Sequence, residues 1–351
     1  MIRLTDLSRY VALPSDSIRA VLTRINASPY LFQVVVDQEG RLLGTITDGD
    51  VRRAILHGLS LDAPASSCLQ QDPKYGFLGR DVDNAKILSL VPRREQFLPV
   101  VDDSRRVCEI LVRSSDESLS TALVMAGGPG TRLGERTRAM PKPLLEVGGR
   151  PILDRVLEGL ENAGVQRIIL SVHYLADKIE DFVAARRNTA AIEFIREPMR
   201  LGTAGALALV DPASIGSTSL LVVNGDVVTR VDFRALRDFH IRHGNDGTLG
   251  VASYRVNVPF GVVRHDADGL FEGVDEKPQL SHFVAAGVYY LNSEFLALVP
   301  KNKPFDMPDL LNQSKNLGLR VGLFPIHEEW ADIGQPADLE AVDAELRRSR
   351  S

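Results

Sequence analysis

Apolar and polar positions along the chain fall into short runs whose period changes in a regular order. Ala122 to Met125 is a continuous apolar run that predicts a buried strand, broken at once by Gly127, Gly128, Pro129 and Gly130. Pro151 to Ala163 has a helical period, opened by its proline and closed near Gly164, and Arg167 to Val172 returns to a strand. Ala176 to Arg187 predicts a helix, Ala191 to Ile195 a strand, Thr203 to Val210 a helix and Leu220 to Val223 a strand that ends at Asn224-Gly225-Asp226. Strands that alternate with helices predict an α/β fold with a doubly wound, Rossmann-like mixed sheet, whose ligands gather at the carboxyl ends of the strands. The glycine run and Asp226 both fall at such ends.

The first 116 residues carry another pattern. Gln33 to Asp50 and Phe97 to Ser115 each read as a strand, a turn with Asp and a second strand, so a hairpin is repeated twice. Helical patterns flank the hairpins at Ser17 to Asn26, Val51 to Gly58 and Val82 to Leu90. Arg113 to Ser120 is polar and serine-rich and predicts a short linker. The expected division is 1–59 and 60–116 for the two repeats, 117–120 for the linker and 121–351 for the α/β domain.

With 351 residues, 44% hydrophobic and 25% charged, the chain has the composition of a soluble globular protein. No stretch approaches the roughly 20 apolar residues of a membrane span, and the charged start predicts no signal peptide. Cys68 and Cys108 provide neither a disulfide framework nor a metal cluster. A cytoplasmic enzyme is expected. The net charge of −5 argues against nucleic acid. The first 116 residues are balanced, with 15 basic and 15 acidic side chains, against 26 and 31 in the remainder. An anionic substrate therefore needs cations concentrated locally.

Such cations follow the glycine run. A strand that breaks into glycines can present backbone N–H groups to a polyphosphate, and Arg132 adds a fork-shaped charge suited to phosphate oxygens. Lys142, between Pro141 and Pro143, presents a second cation from a rigid extended segment. The spacing matches neither the dinucleotide fingerprint nor the P-loop. A glycine turn with solvated surface cations is the bland alternative.

The full string, AGGPGTRL followed by PKPLLEVGGRPIL, closely resembles the signature of sugar-1-phosphate nucleotidyltransferases, the enzymes that make nucleotide sugars. The resemblance implies that Ala126, Gly127, Gly128, Gly130 and Thr131 line the nucleotide, with Arg132 and Lys142 on the triphosphate. Asp226 corresponds to the aspartate that holds the metal, and Asp332, in Trp330-Ala331-Asp332-Ile333-Gly334, to the second carboxylate; Mg²⁺ is the implied cofactor. Arg196 to Gly205 resembles the loop against base and ribose, which implies nucleotide contacts from Glu197, Gly202 and Thr203, the last at a helix start with free N–H groups. On the sugar side, Val258-Pro-Phe-Gly261 and Glu276-Lys277-Pro278 resemble the hexose and sugar-phosphate motifs, and Gly287 lies in the strand that floors the pocket. Without the resemblance, Asp226 reads equally as a turn cap, Thr203 as a helix cap and Glu276-Lys277 as a solvated pair.

The amino-terminal repeats resemble a CBS (α+β) pair, an adenine-nucleotide-binding regulatory module. Gly44, Thr47 and Asp50 fit its ribose signature, implying AMP or ATP as ligand; Glu109, Val112 and Ser115 break it in the second repeat. The alternative for this pair is a scaffold that only dimerises, and a homo-oligomer through CBS pairing is expected. A CBS pair, REPMRLGTAG and an end soon after WADIG together resemble the CBS-fused guanylyltransferases of legionaminic acid biosynthesis, which form GDP-glucosamine. The implied substrates are an NTP, GTP favoured, and a sugar 1-phosphate, glucosamine 1-phosphate favoured, with no nucleic-acid or membrane partner. The alternatives are a mannose-1-phosphate guanylyltransferase, a uridylyl- or thymidylyltransferase and, more distantly, a non-catalytic nucleotide-sugar sensor. Catalysis falls to Arg132, Lys142, Asp226 and Lys277.

Overall fold

The repeated hairpins become two small sheets. The computed structural model describes residues 1–28, 30–91, 97–113, 119–215 and 219–348. Its first elements are β1 (Ile2–Leu4), β2 (Val11–Ala12), α1 (Ile18–Asn26), β3 (Phe32–Val36), β4 (Leu42–Thr47) and α2 (Asp48–Leu56). They are followed by β5 (Gly76–Phe77), α3 (Asp81–Leu90), β6 (Phe97–Val101) and β7 (Val107–Val112). β3 pairs antiparallel with β4, and β6 with β7. β1 joins β7, so the first strand of the chain completes the second sheet and the first repeat's own sheet begins at β2.

Equivalent residues of the two repeats meet. Phe32 stacks on Phe97 with ring centroids 3.8 Å apart and planes 7° apart, and Arg41 forms a β-bridge with Arg106. Two hairpins that touch through the same residues are related by an approximate two-fold axis, as in a symmetric dimer. α2 begins at Asp48, earlier than the apolar pattern predicts, because Thr47 and Asp50 form a reciprocal capping box that satisfies two free amides. Residues 114–118, which include Ser115 and half of the expected linker, lie outside the described residues. Leu119 is buried against the α/β core, not solvated as a linker would be.

From Thr121 the chain runs β8 (Thr121–Met125), β9 (Glu146–Val147), β10 (Arg150–Pro151), α4 (Ile152–Asn162), β11 (Arg167–Val172), α5 (Ala176–Ala185), β12 (Ala191–Arg196), β13 (Ser219–Asn224), β14 (Val227–Thr229) and α6 (Phe233–His243). It continues through β15 (Gly247–Asn257), β16 (Val262–His265), β17 (Phe271–Asp275), β18 (Gln279–Asn292), α7 (Glu294–Leu298), α8 (Met307–Asn316), β19 (Val321–Ile326), β20 (Trp330–Asp332) and α9 (Pro336–Arg348). Seven strands form one mixed sheet in the order β12-β11-β8-β13-β18-β15-β19. β8 lies inside it, parallel to β11 and β13. Ala122, Leu123 and Val124 are apolar and buried on both faces, as a central parallel strand requires.

The helix expected over Thr203 to Val210 is only a 3₁₀ turn, Gly205–Leu209. Backbone groups that would start an α-helix are spent on a neighbouring segment: Ala204 N–H donates to Phe305 O, and Phe305 N–H to Leu201 O. β15 and β18 run on past their neighbours and, with the β16–β17 hairpin, form an arm whose residues are mostly exposed.

The amino-terminal module packs directly on the α/β domain. One apolar cluster runs from Ile18, Val21 and Val51 through Phe324 and Ile326 to Val124. At this junction Arg52 of α2 is fully buried. Its guanidinium lies 3.6 Å from the centre of the Phe324 ring, pairs with Asp48 at 2.7 Å and Glu328 at 3.2 Å, and donates to Pro325 O.

Candidate active site

The site forms where β8 and β13 end side by side. Gly225 N–H donates to Met125 O at 2.9 Å, and a Cβ on Gly225 would stand 3.1 Å from that oxygen. This close approach sets Asp226 beside the glycine loop. β14 then pairs antiparallel with β20, with Val227 opposite Asp332, so the second carboxylate comes to lie next to the first. Trp330 Nε1–H donates to Ala286 O at 2.9 Å and ties β20 to the strand that carries Gly287.

Lys142 sits between the two carboxylates. Its ammonium is 2.5 Å from Asp226 and 3.7 Å from Asp332, with the side chain only 7% exposed. Gly130 makes room for it: the glycine is in the left-handed region, φ +62°, and a Cβ there would meet Lys142 Cβ at 3.0 Å. Arg132 approaches from the other side, since a Cβ on Gly334 would be 3.7 Å from its guanidinium and 3.9 Å from the Asp332 carboxylate. Partial desolvation of the half-exposed Asp332 side chain pushes its carboxyl above its ordinary value; Lys142 opposes that, Asp226 adds to it and Arg132 opposes it again.

A divalent ion suits this constellation. Lys142 is a resident cation between Asp226 and Asp332, the two residues that would hold a metal. Asn224 Oδ1, on the strand leading to Asp226, is buried and without a hydrogen-bond partner among the described residues. No group of three or more His, Cys, Asp or Glu among the described residues is arranged to hold a metal alone. Two carboxylates completed by substrate oxygens is the usual magnesium arrangement.

The loop glycines differ in what they face. A Cβ on Gly127 would lie 2.8 Å from Glu197 Oε1 and 3.3 Å from His173 Cβ, whereas nothing lies within 4 Å of one on Gly128. Ala126 is buried, its N–H donating to Ser171 O, and Thr131 is exposed.

One nucleotide-side expectation needs correction. Glu197 is buried and already engaged: Ser171 Oγ–H donates to one oxygen at 2.7 Å and Leu201 N–H to the other at 3.1 Å, which orders the 197–201 turn. Thr203 likewise has no free donors, because its N–H and hydroxyl both donate to Asp306, and the hydroxyl accepts from Met307 N–H. Gly202, φ +80°, is required there, since a Cβ would stand 2.6 Å from Asp306 Oδ1.

Gly287, expected on the sugar side, packs against Asn224 on the strand leading to Asp226: its φ is +71° and a Cβ would be 2.8 Å from Asn224 Nδ2. Gly261, Glu276 and Lys277 lie on the exposed arm, Gly261 facing Val274 and Glu276. No ion pair among the described residues joins Lys277 to Asp226 or Asp332, so Lys277 stands outside the Lys142 cluster.

In the amino-terminal module the ribose signature is also committed. Thr47 N–H and Oγ–H both donate to Asp50, which pairs further with Arg53, and a Cβ on Gly44 would stand 2.6 Å from Leu69 Cδ1. Asp50 thus caps α2 through one oxygen and pairs with Arg53 through the other. The sequence reading missed Asn224, Trp330 Nε1 and Arg52, whose surroundings come from distant segments and leave no local pattern.

Residues 121–349 match the family model described as Nucleotidyl transferase, and residues 5–57 that described as CBS domain. The chain is 35% identical over 227 residues to the mannose-1-phosphate guanylyltransferase catalytic subunit beta of Drosophila melanogaster, covering 62% of this chain and 60% of that protein. It is 34% identical over 226 residues to the mannose-1-phosphate guanyltransferase of Saccharomyces cerevisiae, covering 62% of each. The match thus spans about 60% of the length of these relatives. Among solved structures, HddC from Yersinia pseudotuberculosis superposes with a TM-score of 0.52 at 28% identity, covering 64% of this chain and 99% of HddC. HddC complexed with GMP-PN gives 0.51 at 27%, with the same coverage. No helix among the described residues is long and apolar enough to cross a membrane.

Proposed function

Because this chain belongs to the nucleotidyl transferase family, we propose that it transfers a nucleoside monophosphate from an NTP to a sugar 1-phosphate and releases pyrophosphate. GTP is the favoured donor, a choice supported by the guanylyltransferase relatives. The observation that carries the proposal is Lys142 set between Asp226 and Asp332 beside the glycine loop.

Nucleotidyltransferases of this family use a divalent metal ion. Mg²⁺ held by Asp226 and Asp332 would neutralise charge on the triphosphate oxygens. The chain's own residues then do the positioning. Gly127, Gly128 and Gly130 keep the loop backbone open to the phosphates, and Arg132 and Lys142 attract them. Lys142 would turn from Asp226 to the triphosphate when Asp226 and Asp332 hold the ion. The sugar phosphate is already anionic near neutral pH, so no general base is needed and catalysis is alignment plus charge stabilisation. Lys277 holds that phosphate from the arm. Guanine presents N1–H and a 2-amino group that are costly to leave unpaired. Glu197 or nearby backbone carbonyls take them.

The favoured acceptor is glucosamine 1-phosphate, its ammonium facing Glu276; Asp275, the other acidic neighbour, faces Arg264 at 3.7 Å. Mannose 1-phosphate is the alternative, supported by the names of the relatives. We read the amino-terminal pair as regulatory, through an adenine nucleotide such as AMP or ATP, and as the surface through which copies associate.

Pyrophosphate release from each NTP with a panel of sugar 1-phosphates tests the proposal. Turnover with GTP at least tenfold above UTP and dTTP is expected. A reversed order overturns the base, preference for mannose 1-phosphate overturns only the sugar, and nucleotide-sugar binding without any turnover favours a sensor.

A further inference from the structure

The turn that follows β12 is fastened at both ends. At its start Glu197 lies against the glycine loop, since a Cβ on Gly127 would stand 2.8 Å from its Oε1, and its other oxygen takes Leu201 N–H at 3.1 Å. At its end the chain is held by the segment leading into α8. Phe305 N–H donates to Leu201 O at 2.8 Å and Ala204 N–H to Phe305 O at 3.0 Å. Pro198, Met199 and Arg200, between these fastenings, are exposed.

Asp306 adds a further contact, in an unusual direction. It is the N-cap of α8, with the extended backbone of that position, φ −104° and ψ 153°, yet its carboxylate caps nothing in its own helix. The reason is local. An N-cap carboxylate accepts from the second or third helical residue; the second is Pro308, which has no N–H, and the third, Asp309, donates to Asp306 O at 3.1 Å. Asp306 Oδ1 is left for Thr203, whose N–H and hydroxyl donate to it at 2.8 and 3.1 Å. Thr203 Oγ in return accepts from Met307 N–H, the first amide of α8, at 2.8 Å. Each segment thus caps the other, as the two residues of a capping box do within one helix.

We propose that Asp306 is a positioning residue for the base of the NTP. Acting through Thr203, it fixes the backbone groups of the 197–203 turn beside the glycine loop, and so sets how sharply one base is told from another. The inference rests on the nucleotidyl-transfer reading. Asp306 and Thr203 are both exposed, so their contact adds little to the stability of the fold. Its effect on base readout is larger, because hydrogen bonds weaken steeply once donor and acceptor are displaced, and a polar group on the base left unpaired is costly.

Steady-state kinetics of Asp306→Ala and Asp306→Asn, with each NTP and the best sugar 1-phosphate, test it. In the Ala variant KM for the preferred NTP should rise at least fivefold and its lead over the next NTP should narrow. KM for the sugar 1-phosphate should stay within twofold, and the melting temperature within about 2 °C of wild type. Asn keeps an oxygen that accepts from Thr203, so it should return the NTP KM to within twofold of wild type. An equal rise in both KM values, an unchanged NTP KM, or an Asn variant as impaired as Ala overturns the proposal. Thr203→Val removes the hydroxyl that caps Met307 and leaves the Asp306 carboxylate in place, a second variant should Asp306→Ala not fold; an unchanged NTP KM there overturns it too. Calorimetry of NTP binding without sugar phosphate separates the two readings. Affinity lowered by Asp306→Ala in a protein that releases no pyrophosphate supports the positioning role and contradicts transfer alone. Equal affinity in wild type and variant overturns the positioning role and leaves transfer standing, and a wild type that binds no NTP overturns both.

Discussion

Lys142 holds its ammonium 2.5 Å from the carboxylate of Asp226. A buried lysine beside two carboxylates means that the protein supplies its own cation there, which keeps the two nearby acids from repelling one another.

Replacing that cation should therefore separate metal affinity from turnover. Lys142→Met leaves Asp226 and Asp332 without their neutralising partner, so saturating Mg²⁺ should raise the melting temperature more in the variant than in the wild type. Turnover should fall by roughly 100-fold, because the triphosphate loses a charge contact. Equal metal-induced shifts in the two proteins would argue against a shared cation position.

The glycine loop offers a contrast between neighbours. Gly127→Ala drives a Cβ to 2.8 Å from Glu197 Oε1 and should lower both melting temperature and activity. Gly128→Ala meets nothing in the protein, so its melting temperature should stay within about 1 °C while KM for the NTP rises at least tenfold, the space being reserved for phosphate. An unchanged KM would show that the ligand lies elsewhere.

At the module junction, Arg52→Ala strands Asp48 and Glu328 in a buried setting and should cost about 3–5 kcal/mol. Burial works to raise the Glu328 carboxyl, yet Arg52 and then His327 hold it below its ordinary value of 4.5. A carboxyl lowered in the folded state contributes stability above its unfolded value that is lost as pH falls through the folded one. In the variant burial, the largest influence, is opposed only by His327 and a backbone N–H, and acidification should then stabilise instead. Urea melts of both proteins at several acidic pH values check the reversal; parallel trends would contradict it.

Much of this was legible in the sequence where a single local pattern carries the physics. The unbroken apolar runs of β8 and β13 announce strands buried on both faces, and the glycines and Asp226 directly after them mark the sheet's carboxyl ends. Thr203 was misread because its helix-start pattern lost to Asp306 and Phe305, which capture the donors from a distant segment. Leu119 closes a serine-rich stretch yet fills the core. Arg52 stands in a charged run that reads as a solvated helix face; only the arrival of Phe324 and Glu328 turns it into the buried centre of the junction. Glu197 shares this cause through Ser171, whereas Thr47 and Asp50 engage each other within one turn, a local cap contained in the motif's own spacing.

Asp332 should show a trade between stability and function. Its carboxyl is raised above 3.8, chiefly by burial, so the folded state favours the proton and loses stability as pH climbs through the raised value. At neutral pH the metal-free Asp332→Asn variant should melt at the same temperature as the wild type or higher, and its turnover should fall at least 100-fold. A variant several degrees less stable at neutral pH would place Asp332 among the stabilising acids.

The most direct measurement is pyrophosphate release by Asp226→Asn with GTP and the best sugar 1-phosphate at saturating Mg²⁺. The amide keeps the shape of the side chain and loses the charge that holds the metal, so turnover should drop by about 10³-fold or more, with the melting temperature within a few degrees of wild type. Activity within tenfold of wild type would contradict a metal-binding role for Asp226, and with it the proposed placement of the reaction between β13 and β20.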